Sequence, residues 1–312
     1  MTTKIIHGEC LEEMRKLEAG SIDLILTDPP YGNMNGAELD GWEGNKTSWD
    51  KAIEPKEIFK ECNRLLRVNG KLILFSQEPY TSNLIINSMS NLPFCYRMIW
   101  EKDHFANALI AKKAPVSYFE DILVFSKSNP LEQKEFIHPL RKYFKEVLDF
   151  MELNKKQVVE IIGECADHVF RFSSTQFSLC TERTYNKLID RFKINNMVGF
   201  KEFGELKHID KIAKEVNAPI FNLPEGESKK SNILSFKKDY GGLHPTQKPV
   251  ELLKDLIKTY SNEGDKVLDF TAGSFSTLVA CEQTNRKGIG IELDEKYVEI
   301  GRKRLAQNSL TV

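Results

Sequence analysis

An excess of charge of either sign is missing from this 312-residue chain: 44 Lys and Arg stand against 45 Asp and Glu, a formal net charge of −1. Composition therefore carries no nucleic-acid signal, and a DNA-binding face would have to come from segregated charge. Six cysteines (Cys10, Cys62, Cys95, Cys165, Cys180 and Cys281) are scattered with no CxxC pair. They suggest neither a zinc site nor a disulfide framework; no metal is expected, and a reducing cytoplasm fits best. No apolar run approaches transmembrane length, and the first seven residues lack the hydrophobic stretch of a signal peptide, so no membrane is expected. Internal repeats and low-complexity segments are absent too, as is a GxGxxG phosphate cradle, which argues against a dinucleotide site.

What remains is ordinary globular composition, 41% hydrophobic and 29% charged, on a chain long enough to bury a sizeable core. Residues 21–27 read as a buried strand that ends at Asp28-Pro29-Pro30, where two prolines forbid further pairing. A helix over 57–66, stopping near Asn69-Gly70, precedes a second strand at 71–75, and 96–100 and 121–125 read as two more. From about 130 the rhythm changes to short helices: 140–153, then 155–162 capped by Asn154 and ended by Gly163, then 181–192. Residues 223–231 read as a linker. The α/β rhythm then returns with a helix over 250–260, a strand at 266–269, a small-residue turn and helix, a strand at 288–292 and a helix over 295–305.

Two segments carry chemistry. Asp28-Pro29-Pro30-Tyr31 closes an apolar strand. An exocyclic amine on a base is a poor nucleophile because its lone pair is delocalised into the ring. A carboxylate accepting one N–H and the Pro29 carbonyl accepting the other draw the nitrogen toward tetrahedral geometry and localise that pair. Tyr31 can stack on the base, worth about 1–3 kcal/mol. The second segment is Asp269-Phe270-Thr271-Ala272-Gly273-Ser274, a strand-turn-helix followed about twenty residues later by Glu292 at the next strand end. That spacing suits a nucleoside cofactor, with close backbone approach at the turn and a carboxylate for two ribose hydroxyls.

With His244-Pro245-Thr246-Gln247-Lys248-Pro249 between them, these motifs resemble the permuted (β-group) amino-methyltransferases of DNA, especially the adenine-N6 methylases of phages and mobile elements. The resemblance covers roughly residues 3–127 and 232–305. It implies the class I S-adenosylmethionine-dependent methyltransferase fold: an α/β protein with a circularly permuted, mostly parallel seven-stranded sheet, one strand reversed, here with a helical insert. It implies S-adenosylmethionine as cofactor, with Asp269, Ala272, Gly273 and Ser274 at its methionine part and Glu292 at its ribose. Thr246 and Lys248 would sit beside the methionine carboxylate, and Glu9 and Cys10 at its adenine. Asp28 would border both cofactor and target, and Asp28, Pro29, Pro30 and Tyr31 would be catalytic. Two departures stand out. Phe275 occupies a position where the family usually has a second glycine, so its ring either narrows the cofactor site or points into helix packing. Glu9 stands where aspartate is common, a longer reach for the same bond.

A stacked base cannot reach a buried cofactor, so the target adenine must be flipped from double-stranded DNA. The chain then divides into a catalytic half, 1–130, a helical insert, 131–229, and a cofactor half, 230–312. The insert is not basic overall, yet Arg171, Arg183, Lys187 and Arg191, with His168 and Gln176, are candidates for reading the target sequence. Lys112 and Lys113 are candidate phosphate contacts. A homodimer and a cognate restriction endonuclease are candidate partners. His7, His104 and His138 have no ligand spacing, and a direct displacement needs no cysteine nucleophile. Two other readings compete: N4-cytosine methylation by the same fold, against which Asp rather than Ser at position 28 counts, and a non-catalytic DNA-binding protein with a vestigial cofactor domain.

Overall fold

The computed structural model describes residues 3–32, 50–106, 111–128, 138–172, 174, 176–217, 220–239 and 247–308. They fall into two compact units, one of residues 1–128 with 219–312 and one of 129–218. The first is built on a sheet: β1 (Lys4–His7), β2 (Ile22–Thr27), β3 (Leu66–Ser76), β4 (Phe94–Ala106), β5 (Ser117–Ser126), β6 (Ile233–Ser235), β7 (Lys266–Asp269) and β8 (Lys287–Glu292). The order is β1-β8-β7-β2-β3-β5-β4-β6. Strands β1, β8, β7, β2 and β3 are mutually parallel. β5 runs against both its neighbours, and β6 runs parallel to β4.

A mostly parallel sheet with a reversed strand is what the resemblance implies; the strand count is not. Among the described residues the expected seven are eight, because Ile233–Ser235 adds a short edge strand paired from Ile99 to Glu101. Three residues joined to an edge leave almost no pattern in a sequence.

Helices cover both faces. Leu72 and Leu74 of β3 and Leu123 and Phe125 of β5 pack with Ile58, Phe59 and Cys62 of α2 (Pro55–Leu65) and Leu84 of α3 (Tyr80–Ile86). The alternate residues Ile73, Phe75, Ile122 and Val124 pack with Leu252, Leu256 and Ile257 of α8 (Val250–Tyr260) and Ala280 of α9 (Ser276–Gln283). Burial on both faces is why these strands read as unbroken apolar runs. The remaining helices of this unit are α1 (Cys10–Lys16) and α10 (Glu295–Asn308).

α2 ends at Leu65, and Asn69-Gly70 lies inside β3 instead of capping a helix. Asn69 takes a positive φ of 64°, at a point where the β2–β3 register shifts. A Cβ on Gly70 would lie 2.9 Å from the carbonyl oxygens of Arg67 and Asp23, so the glycine serves a bulge.

The second unit holds α4 (Pro139–Phe150), α5 (Lys155–Ile162), α6 (Glu182–Phe192) and α7 (Phe203–Asn217) around its own core of Phe144, Val147, Val158, Tyr185, Leu188 and Leu206. Residues 220–230, read from the sequence as insert and linker, belong instead to the sheet unit. Asn222 N–H donates to the Thr259 carbonyl at 2.8 Å, and Lys230 pairs with Asp255 of α8 at 2.6 Å. No helix among the described residues is long and apolar enough to cross a membrane.

Candidate active site

Because β1, β8, β7 and β2 are parallel, His7, Glu292, Asp269 and Thr27 all end strands on one edge of the sheet, where open α/β sheets place their ligands. Asp28 follows β2 directly. Its Oδ1 accepts the Tyr31 hydroxyl at 2.5 Å, and its Oδ2 accepts the Lys248 ammonium. Lys248, whose side chain is 7% exposed, also lies 3.2 Å from Glu120 Oε2 and 5.1 Å from the centre of the Phe75 ring. Glu120 in turn accepts the ammonium of Lys102, which is 2% exposed and stands over Trp100.

Burial raises the Asp28 pKa despite the Lys248 charge. The Glu120 carboxyl is held below its ordinary range: burial opposes ionisation, but Lys248 and Lys102 outweigh it. Burial and the Asp28 charge push the Tyr31 phenol well up, so it donates its proton to the carboxylate rather than losing it. Tyr31 and Tyr80 rings lie 6.1 Å apart and tilted by 35°.

A chain of hydroxyls ties this loop to the turn after β7. Thr27 Oγ1 is 2.7 Å from Asp269 Oδ1 and 2.7 Å from Thr271 Oγ1, and Thr271 Oγ1 reaches the Asp28 carbonyl at 3.1 Å. Thr277 donates to the other Asp269 oxygen at 2.6 Å. Thr27 and the Thr271 N–H donate to Asp269 Oδ1, and burial pushes the Asp269 pKa up to about 6 against these bonds. The carboxylate expected to face a cofactor is thus bonded to three threonines, and it braces the turn.

Around that turn, Ala272 N–H donates to the Ile291 carbonyl at 2.9 Å. Gly273, at φ 52°, donates its N–H to Glu292 Oε2 at 2.8 Å. Glu292 Oε1 accepts the Asp294 N–H at 2.9 Å, and burial raises the pKa of this carboxyl. A carboxylate oxygen has room for two hydrogen bonds, so this one can still accept ribose hydroxyls. Ser274 is held by Arg304, which donates to its carbonyl at 2.5 Å. Gly8 N–H reaches the Glu292 carbonyl at 2.9 Å, which brings the two ends of the chain together and sets Glu9 and Cys10 beside the same strand end. Glu9 caps α1 by accepting the Glu12 N–H at 2.8 Å, and burial pushes the Cys10 thiol up to about 12, which leaves it inert as a nucleophile. Thr246 lies outside the described residues.

Phe275 resolves an ambiguity. Its backbone is left-handed (φ 60°), where a glycine would be unstrained, and its ring is fully buried. A Cβ on Gly301 of α10 would come within 2.2 Å of that ring, and one on Gly290 of β8 within 2.8 Å. The ring fills the space those two glycines leave, with Ala272, Leu278 and Val298 around it. It points into helix packing, away from the sheet edge's open side.

Of the candidate DNA contacts, Lys112 and Lys113 are exposed on a turn between β4 and β5. Arg183, Lys187 and Arg191 are exposed at four-residue intervals along α6, opposite the buried Tyr185 and Leu188. Arg171 is not on that helix: it pairs with Asp167 and Gln176, so two expected base readers bind each other. Sequence reasoning missed Thr27, Thr271, Thr277, Glu120 and Lys102. The available signal was Glu120-Asp121 heading a buried strand, a costly place for carboxylates without a task.

The sheet, with its one reversed strand, is that of the class I methyltransferase fold. A family model described as DNA methylase (N6_N4_Mtase) matches residues 22–303, and the chain belongs to that family. It is similar to the type II methyltransferase M2.DpnII of Streptococcus pneumoniae, 42% identical over 98% of this chain and 91% of that protein. It is similar also to the DNA adenine methyltransferase YhdJ of Escherichia coli (strain K12), 27% identical over 96% of this chain and 82% of that one. Among solved structures, M1.HpyAVI in its SAM complex matches 97% of this chain and 99% of its own length, with a TM-score of 0.53 at 18% identity.

Proposed function

We propose that this protein transfers a methyl group from S-adenosylmethionine to adenine N6 in duplex DNA, as a permuted, phage- or mobile-element-type enzyme. The observation that carries the reading is Asp28 at the end of β2, its loop bonded through Thr271 to the turn that would hold the cofactor. Strand order supports the permuted class: the turn after β7 lies near the C-terminus, while the catalytic loop follows the second strand of the chain. Gly273, Ser274 and Glu292 would hold the cofactor, and their donor set fits it, a turn N–H and hydroxyl beside a carboxylate that suits a diol. Bound S-adenosylmethionine supplies an electrophilic methyl group on a sulfonium.

The chain's own residues do the rest. Asp28 and the Pro29 carbonyl accept the two N–H bonds of the flipped adenine's amine, and Tyr31 stacks on the ring. Asp28 also receives the proton that the methylated nitrogen sheds. Arg183, Lys187, Arg191 and Arg171 in the insert, with Lys112 and Lys113 in the sheet unit, supply DNA contacts. A cognate restriction endonuclease and a second copy of this chain, as a homodimer, are the further partners proposed.

Cytosine N4 is the second reading, favoured by a family that spans both reactions. Asp28 and the adenine-specific relative weigh toward N6. Methylation-aware sequencing of DNA from cells expressing the chain should show N6-methyladenine at a fixed motif, lost with Asp28→Ala. N4-methylcytosine instead would select the second reading. Neither mark, with no S-adenosylmethionine binding by calorimetry, would leave a non-catalytic DNA-binding protein.

A further inference from the structure

Both Asp28 oxygens are engaged, Oδ1 by the Tyr31 hydroxyl and Oδ2 by the Lys248 ammonium. Each oxygen can accept a second hydrogen bond, but an amine there would gain its positive charge beside the ammonium, so methyl transfer is eased when a bound group yields. The ammonium is the one with somewhere to go. Glu120 Oε2 lies 3.2 Å from the same nitrogen, and it is buried without a well-aligned hydrogen bond. The other oxygen of Glu120 is tied to Lys102, itself 2% exposed, so the carboxylate cannot turn away. Two carboxylates and two ammoniums thus make a neutral, buried row in which one cation, Lys248, touches both acids.

We propose that Glu120, braced by Lys102, is a positioning residue that takes the Lys248 ammonium over from Asp28 when the target amine arrives. The inference rests on the methyltransferase reading above. Asp28 then meets the amine as a carboxylate with a free oxygen, while the displaced cation keeps a counter-ion in a place where an unpaired charge is costly. No covalent bond changes in this step; the ammonium exchanges one carboxylate for another. The exchange also removes a positive charge from beside the nitrogen that becomes cationic as it accepts the methyl group. Without Glu120 the ammonium loses its second carboxylate, and the amine must compete with it for Asp28.

Glu120→Gln keeps the shape and removes the charge. In the full-length protein, with methyl transfer to DNA followed by single-turnover kinetics, the rate should fall about 30-fold, while the KM for DNA and the calorimetric affinity for S-adenosylmethionine change less than about threefold. In a Lys248→Met background, where no ammonium needs a second seat, Glu120→Gln should cost less than about threefold more. Should Glu120→Gln not fold, Glu120→Asp draws the charge back by one methylene and should lose about tenfold in rate at unchanged affinities. Wild-type rate in whichever variant folds would overturn the inference. So would an equal loss with and without Lys248, or a loss confined to cofactor affinity. A wild-type protein that methylates no DNA would overturn the methyltransferase reading itself, and this inference with it.

Discussion

The carboxyl edge of the sheet and the helical insert handle polar side chains in opposite ways. At the edge they are buried and bonded across the length of the chain: Thr27 to Asp269, Asp28 to Lys248, the Asp28 carbonyl to Thr271. In the insert the polar bonds are mostly local, as in the Asn154–Gln157 capping box, Arg171 with Asp167 and Lys201 with Glu205, and three cations of α6 face solvent. Moving charge needs groups held from several sides at once, and a partner as large as DNA is met by charges that remain in water until it arrives.

The sharpest way to break that contrast is at Asp28. Asp28→Ala should cost about 10³-fold or more in methyl transfer and leave S-adenosylmethionine affinity within about threefold. Substantial remaining activity, measured with labelled cofactor, would mean that the buried edge is bracing and nothing else.

Phe275 tests the bracing itself. Phe275→Ala leaves a hole between Gly290 and Gly301 and should cost about 3–5 kcal/mol in urea unfolding, with no relief of the left-handed backbone because alanine keeps a Cβ. A cost under about 1 kcal/mol would show that the helices close over the gap.

Asp269 offers a pH handle. Its pKa in the fold is about 6 against an ordinary 3.8, so the native state holds the proton more tightly than the unfolded chain. The stability this adds is complete below the ordinary value and is lost as pH rises through about 6. Relative to Asp269→Asn, the wild type should therefore lose up to about 2–3 kcal/mol between pH 4 and 7.5 in urea titrations. A difference that stays flat would place the proton elsewhere.

The smallest effects belong to the insert. Arg183→Ala, Lys187→Ala and Arg191→Ala, assayed singly on variant duplexes at fixed salt, should include one that relaxes preference at a single base pair by about 1–3 kcal/mol. If all three keep the wild-type preference, target reading moves to the sheet unit's loops.

Legibility followed the same division. The strands of the central sheet were readable because burial on both faces leaves runs such as Leu24 to Leu26 and Leu72 to Phe75. Helix α5 was readable from Asn154 and Gly163, whose signals are local. Helix α7 was not: Gly204 sits in its first turn, and much of its support comes from Leu206 in the insert core and Asp210 beside His138 of the residue before α4. Strand β1 was missed for a like reason, since four residues become a strand by pairing with β8, nearly the whole chain away.

The sequence alone determined which residue types could carry chemistry and where chain direction changes, because Asp28-Pro29-Pro30-Tyr31 and the turn from Asp269 to Ser274 act through neighbours in the chain. Only the tertiary structure decided what those residues touch. Strand order sets Asp269 against Thr27, brings Lys248 between Asp28 and Glu120, and turns Phe275 into the gap between Gly290 and Gly301. Contacts of that span depend on which strands lie side by side, and that is settled by burying many apolar side chains together, with no local signal at the residues that end up meeting.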